Sequence, residues 1–185
     1  MLSGTGSLQK QTGDTKLARV VFDAGMIARR VAELGAEITA AYPEGELLVL
    51  GLLKGSFIFL SDLVRRIDRP LQVDFLVAAS YGEGTVSSGS VRLLYDPETE
   101  LAGKHILLVE DIIDTGKTLN RLVTLLRARG PRSLEICALL HKHLAAHLEL
   151  EAAFVGFAAP RAFLVGYGLD HAQNFRHLPY IASLT

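Results

Sequence analysis

Apolar residues in this 185-residue chain fall into short unbroken runs and longer stretches spaced by three and four. Leu17–Phe22 is a short run and reads as a strand. Asp23 can cap a helix after it, in which Ile27, Val31, Leu34 and Ile38 share one face, until Tyr42-Pro43-Glu44-Gly45 breaks the pattern. Leu47–Leu53 is apolar enough for a strand buried on both sides. Lys54-Gly55-Ser56 then opens a helix expected to turn Phe57, Leu60, Leu63, Val64 and Ile67 inward. Val73–Ala79 is a third strand and His105–Val109 a fourth, followed by a helical pattern with Leu119, Leu122, Val123, Leu125 and Leu126 inward and Gly130-Pro131 as its stop. Leu134–Leu140 is another strand; Phe154–Ala158 and Phe163–Tyr167 are short apolar runs ahead of a polar, turn-rich tail. Alternating strands and helices predict an α/β fold, a doubly wound and mainly parallel sheet flanked by helices, with a small hood from the N- and C-terminal segments.

Two stretches lack the apolar content to pack. Residues 1–15 are expected to be disordered, leaving 16–185 as a single domain. Residues 80–90 are rich in glycine and serine and interrupt a single core, which suits a flexible lid better than a linker. A chain of this length buries roughly 70% of its unfolded surface. Hydrophobic residues make up 49% and the formal net charge is −1, which argues for a soluble protein and against nucleic acid as a partner. No apolar stretch reaches the ~20 residues that span a membrane, and the start of the chain has no signal-peptide core. The single cysteine, Cys137, lies in an apolar run and reads as a small buried hydrophobe, so no disulfide framework exists and the cytoplasm is the expected compartment.

The chemistry concentrates in residues 109–118, Val-Glu-Asp-Ile-Ile-Asp-Thr-Gly-Lys-Thr. Adjacent carboxylates, Glu110 and Asp111, stand where the strand is expected to end, and Asp114 follows two isoleucines later. Thr115, Gly116, Lys117 and Thr118 then lead into a helix, whose bare N–H groups are a natural phosphate nest at the carboxyl edge of an open sheet. Acids beside a phosphate repel it unless a cation or ribose hydroxyls intervene, so the pattern predicts a sugar phosphate. A nucleoside-triphosphate loop is excluded, because Asp111 stands where that motif requires glycine. His141, His143 and His147 have spacings that cannot place all three on one strand face, with no carboxylate interleaved, which argues against a histidine metal site.

The decapeptide resembles the diphosphoribosyl-binding signature of type I phosphoribosyltransferases, in the form found in the hypoxanthine-guanine branch. Phe163-Leu164-Val165-Gly166-Tyr167-Gly168-Leu169-Asp170 is similar to that family's second signature, and the likeness runs from about Leu17 to Tyr180. The resemblance implies Mg²⁺-dependent transfer of a 5-phosphoribosyl group from phosphoribosyl pyrophosphate (PRPP) to N9 of hypoxanthine or guanine, giving IMP or GMP and pyrophosphate. The nest Asp114, Thr115, Gly116, Lys117 and Thr118 would hold the 5′-phosphate. Glu110 and Asp111 would take the ribose hydroxyls, directly or through Mg²⁺, and Asp170 would join them as a metal ligand beside pyrophosphate. Asp114 would be the general acid/base at the purine N7. Lys54-Gly55 is similar to the family's pyrophosphate loop, associated there with a non-proline cis peptide, and Ser80-Tyr81 to its lid, which keeps water from an oxocarbenium-like transition state. Lys142 would donate to the 6-oxo group, Phe163 would stack on the purine, the main chain of Leu164 would read its edge, and Arg176 would contact pyrophosphate. His171 and Arg161 depart from the family pattern, where tyrosine and aspartate are usual, and bear on local packing and base preference. A homodimer or homotetramer is a further family expectation. A preference for xanthine or another base stays open, as does a PRPP- or nucleotide-sensing regulator on the same fold.

Overall fold

The computed structural model describes residues 17–80, 91–142 and 148–185. The expected lid beyond Ser80, the expected disordered start, His143 and His147 lie outside these residues. In chain order the elements are β1 (Leu17–Phe22), α1 (Ala24–Ala41), β2 (Leu47–Leu53), α2 (Phe57–Val64), β3 (Gln72–Ser80), β4 (Val91–Tyr95), β5 (His105–Ile113), α3 (Lys117–Arg127), β6 (Ser133–His141), β7 (Phe154–Ala158), β8 (Leu164–Val165) and β9 (Ile181–Leu184).

Six strands form the main sheet in the order β4-β3-β2-β5-β6-β7, parallel except for the antiparallel edge strand β4. The alternation of side chains along each buried strand feeds two cores. Leu47, Val49, Leu107, Val109, Cys137 and Leu139 face α1 and α2, whereas Leu48, Leu50, Ile106, Leu108, Ile136 and Ala138 face α3. The doubly wound arrangement is therefore present. From β2 the chain winds to β3 and from β5 it winds the other way to β6, so the carboxyl ends of β2 and β5 diverge. That divergence opens the crevice in which such sheets bind ligands. A second sheet, β1-β9-β8, is antiparallel and supplies the hood.

Asp23 accepts from the Met26 N–H at 2.8 Å and caps α1, whose inward residues Ile27, Val31, Leu34 and Ile38 are all buried. Two helical phases differ from expectation. Phe57 is 44% exposed, because the inward stripe of α2 runs through Ser56, Phe59, Leu60, Leu63 and Ile67. Leu125 is exposed for the same reason, lying off the stripe Leu119, Leu122, Val123 and Leu126. Two short strands were hidden in the sequence: β4, an edge strand without strict alternation, and β9, whose Ala182 and Ser183 have little strand preference and are held by β1 and β8.

Gly35 lies where α1 crosses the end of α2, and a Cβ there would stand 2.4 Å from the Arg66 Cβ and 2.5 Å from its carbonyl oxygen. Alanine is ordinarily the better helix former by about 1 kcal/mol. Here Gly35→Ala should instead destabilise the fold by about 1–3 kcal/mol through overpacking, measured as a lower midpoint in urea denaturation.

Candidate active site

Four segments meet at the carboxyl edge of the sheet: the turn after β2, the end of β5 with its loop into α3, the residue following β6, and the loop between β8 and β9. β5 runs further than the sequence suggests. Its ladder to β6 continues through Glu110, Ile112 and Ile113, although its pairing with β2 stops at Val109. Glu110 and Asp111 are thus residues within a strand rather than beyond its end, and strand alternation sends their side chains to opposite faces.

On one face, Glu110 lines a pocket of about 130 Å³ with Asp114, Thr115, Gly116, Lys117 and Thr118. Gly116 has φ +73° and leads directly into α3, so the first-turn N–H groups of that helix open onto this pocket. The left-handed turn is one that glycine adopts readily. The Glu110 Oε2 atom is buried and has no hydrogen-bond partner among the described residues. Burial, followed by the charge of Asp111, pushes the Glu110 carboxyl well above the ordinary carboxylate range.

On the other face, Asp111 meets the turn after β2. A Cβ on Gly55 would lie 1.7 Å from Asp111 Oδ2, so only glycine fits there. The Leu53–Lys54 peptide bond is cis, as the resemblance implied, and Lys54 is exposed at this edge. Gly168, with φ +100°, comes equally close from the β8–β9 loop: its Cβ would stand 2.1 Å from the Gly55 carbonyl oxygen. The Asp111 carboxyl is pushed up to about 6, chiefly by burial. Hydrogen bonds from backbone N–H groups, including that of Ile112, oppose the shift, as does Arg176; Asp170 adds to it.

Arg176 donates from Nη1 to the Gly168 carbonyl at 2.7 Å, and from Nη2 lies 2.7 Å from Asp170 Oδ1. Its fork is therefore engaged in shaping the loop that carries Asp170. The same loop is tied to α2 by the Tyr167 hydroxyl, which donates to Asp62 Oδ2 at 2.6 Å. Tyr167 has φ +52°, a left-handed conformation uncommon for an aromatic residue. Burial and the Asp62 hydrogen bond push its phenol upward. Sequence pattern gave no hint of Asp62, since a lone aspartate on a helix carries no motif.

Lys142 follows β6 and its Nζ stands 3.5 Å from Asp114 Oδ2, an ion pair on the rim of the pocket at the start of α3. Phe163 is 55% exposed, which excludes a core role, while Leu164 is buried and pairs with Ser183. Ser80 is the last residue of β3, its backbone opposite Val91; Tyr81 lies outside the described residues. Among the described residues no three His, Cys, Asp or Glu side chains converge to hold an ion alone. Glu110 and Asp111 offer hard carboxylate oxygen on two faces of one strand end, and Asp170 adds another from the β8–β9 loop near Asp111. That donor set fits a hard cation such as Mg²⁺, which keeps waters and takes oxygens from a phosphorylated substrate.

By fold and by sequence the chain belongs to the phosphoribosyltransferase family: the profile described as "Phosphoribosyl transferase domain" matches residues 21–172. Its relatives narrow the class. It is 45% identical over 168 residues to the hypoxanthine-guanine phosphoribosyltransferase of Bacillus subtilis strain 168, covering 91% of this chain and 93% of that one. It is likewise 45% identical over 157 residues to the hypoxanthine phosphoribosyltransferase of Buchnera aphidicola subsp. Schizaphis graminum, covering 84% and 89%. The crystal structure of a hypoxanthine phosphoribosyltransferase from Staphylococcus aureus superposes with a TM-score of 0.87 at 41% identity, covering 91% of this chain and 92% of that one. A hypoxanthine-guanine phosphoribosyltransferase from Bacillus anthracis, solved with a HEPES molecule in its active site, superposes with a TM-score of 0.86 at 37% identity, covering 93% and 99%.

The Asp111 shift makes a prediction about the ligand-free protein. A carboxyl whose folded pKa is raised binds its proton more tightly in the folded state, so stability falls as pH rises from about 4 through about 6. Asp111→Asn removes that burden and keeps an acceptor for the Ile112 N–H. At pH 8 it should be more stable than the parent by about 1–3 kcal/mol, with the difference vanishing below about pH 4, measured by thermal or urea unfolding across pH.

Proposed function

We propose that the chain transfers the 5-phosphoribosyl group of PRPP to N9 of hypoxanthine or guanine, with Mg²⁺, releasing pyrophosphate and forming IMP or GMP. The observation that carries this reading is the placement of Lys142 and Asp114 as an ion pair beside the phosphate pocket. A donor for a purine 6-oxo group and an acceptor for the neighbouring N7 proton thereby stand together, next to the nest for the 5′-phosphate. An ammonium donor favours a carbonyl and leaves the amino group of adenine unpaired.

In this reading Thr115, Gly116, Lys117 and Thr118 hold the 5′-phosphate at the start of α3. Glu110 and Asp111 take the ribose hydroxyls, directly or through Mg²⁺, which they and Asp170 would hold, Asp170 beside pyrophosphate. Bound there, the ion would neutralise charge on the departing pyrophosphate. Lys54, the Gly55 main chain and Arg176 contact the pyrophosphate on the same side, and Arg176 also grips Asp170. Phe163 presents its ring to the purine and the Leu164 main chain reads the base edge. As the C1′–O bond to pyrophosphate breaks and the N9–C1′ bond forms, Asp114 handles the proton at N7. No covalent nucleophile is needed, and alignment with charge stabilisation supplies most of the acceleration. We further propose that residues 16–185 act as one domain, in the cytoplasm, as a homodimer or homotetramer. Among the described residues no helix is long and apolar enough to cross a membrane.

An ultraviolet assay with PRPP and Mg²⁺ should show turnover of hypoxanthine and guanine, none of adenine, and none after chelation. Turnover of xanthine alone would relocate the error to the base pocket, and PRPP binding without turnover of any base would make the protein a sensor. Asp114→Asn should lower kcat by about 10²-fold or more while leaving PRPP affinity nearly unchanged. Equal losses in both would remove the acid/base role.

A further inference from the structure

Phe163 is held through its main chain, where its carbonyl accepts from the Leu184 N–H at 3.0 Å, yet its side chain is 55% exposed. Among the described residues the ring meets one aromatic neighbour, His171, with centroids 5.3 Å apart and planes at 87°. His171 owes its position to a tight turn. It exchanges backbone hydrogen bonds with Asn174, at 3.2 Å in one direction and 3.0 Å in the other. The Gln173 N–H donates to Asp170 Oδ2 at 2.8 Å, and the Asn174 side-chain amide donates to the Ala172 carbonyl at 3.1 Å. Ala172 and Gln173 occupy left-handed backbone, φ +50° and +66°, which residues with a Cβ adopt only where surrounding contacts require it. This turn therefore has a defined shape, and what that shape delivers is an imidazole against Phe163.

We infer that His171 is a positioning residue for the base site: its ring stands perpendicular to Phe163 and fixes the plane on which the purine stacks. The inference rests on the proposed reading of Phe163 as the purine platform. A half-exposed phenyl ring is free to turn about its side-chain bonds, and stacking a base on it must remove that freedom. A perpendicular aromatic neighbour removes it beforehand and leaves the solvent side of the ring open. That is preorganisation, and it strengthens binding of the base without touching it. The edge-to-face arrangement is also the one in which the positive edge of one ring meets the negative face of the other. Because the role is geometric, another flat aromatic ring should serve at position 171 and a methyl group should not.

The test uses the full chain and measures two dissociation constants by calorimetry, that of IMP, which carries a purine, and that of PRPP with Mg²⁺, which does not. His171→Ala should weaken IMP binding by about 3- to 10-fold and raise the KM for hypoxanthine in step, with PRPP affinity unchanged. His171→Phe should restore both. Unchanged IMP binding in the alanine variant would overturn the inference. So would equal weakening of IMP and PRPP, which would mean that the turn had collapsed, or a phenylalanine variant as weak as the alanine one. If the parent protein bound PRPP but not IMP, the purine reading of the site itself would fall, a result distinct from any of these.

Discussion

The site depends on one steric constraint: at the carboxyl edge of the sheet, three segments approach so closely that neither Gly55 nor Gly168 has room for a side chain. Asp111 Oδ2 occupies the space a Gly55 Cβ would need, and the Gly55 carbonyl occupies the space a Gly168 Cβ would need. Through this contact the turn after β2, the end of β5 and the β8–β9 loop become one surface. The doubly wound topology brings the first two together, because β2 and β5 are neighbours whose crossovers depart in opposite directions. The third is shaped by Arg176, which grips the Gly168 carbonyl and Asp170 of its own loop, and is tied to α2 by Tyr167, which reaches Asp62.

Within that surface the electrostatics oppose folding and favour binding. Glu110 is buried with an unpartnered oxygen, and Asp111 is held up to about 6. A site built for stability alone would not place two carboxyls side by side in a strand that leaves water. The unfavourable burial is relieved by whatever brings positive charge or hydrogen-bond donors, and a metal-bound ribosyl pyrophosphate brings both. The alternation of the strand separates the two carboxyls, Glu110 toward the pocket at the start of α3 and Asp111 toward Gly55 and Asp170. In the proposed reading, one strand end thereby addresses both ends of the same substrate.

Much of this was legible in the sequence, for identifiable reasons. Buried strands such as Leu47–Leu53 and the inward stripe of α1 announce themselves through periodicity. The 109–118 stretch announces a ligand because acids and a phosphate nest are incompatible without one. Less legible were features set by tertiary contact. Phe57 and Leu125 fit a helical spacing equally well on either side of the true stripe. β9 is a strand because β1 and β8 flank it, and the extension of β5 through Glu110 depends on β6 continuing beside it. Asp62 and the ring contact of His171 carry no pattern at all. The engagement of Arg176 with its own loop had no signal in the sequence either, because a guanidinium's nearest acceptors depend on how the chain turns.

The most direct test of the account is Gly55→Ala, followed by calorimetry of PRPP binding with Mg²⁺ and by a far-UV unfolding curve. PRPP affinity should fall by about 10²-fold or more, as expected when a well-ordered constellation is displaced by about 1 Å, while unfolding stays cooperative, because the added methyl group displaces the Asp111 carboxyl and not the hydrophobic core. PRPP binding that survives unchanged would contradict it, since the three segments would then not need to meet for the site to exist.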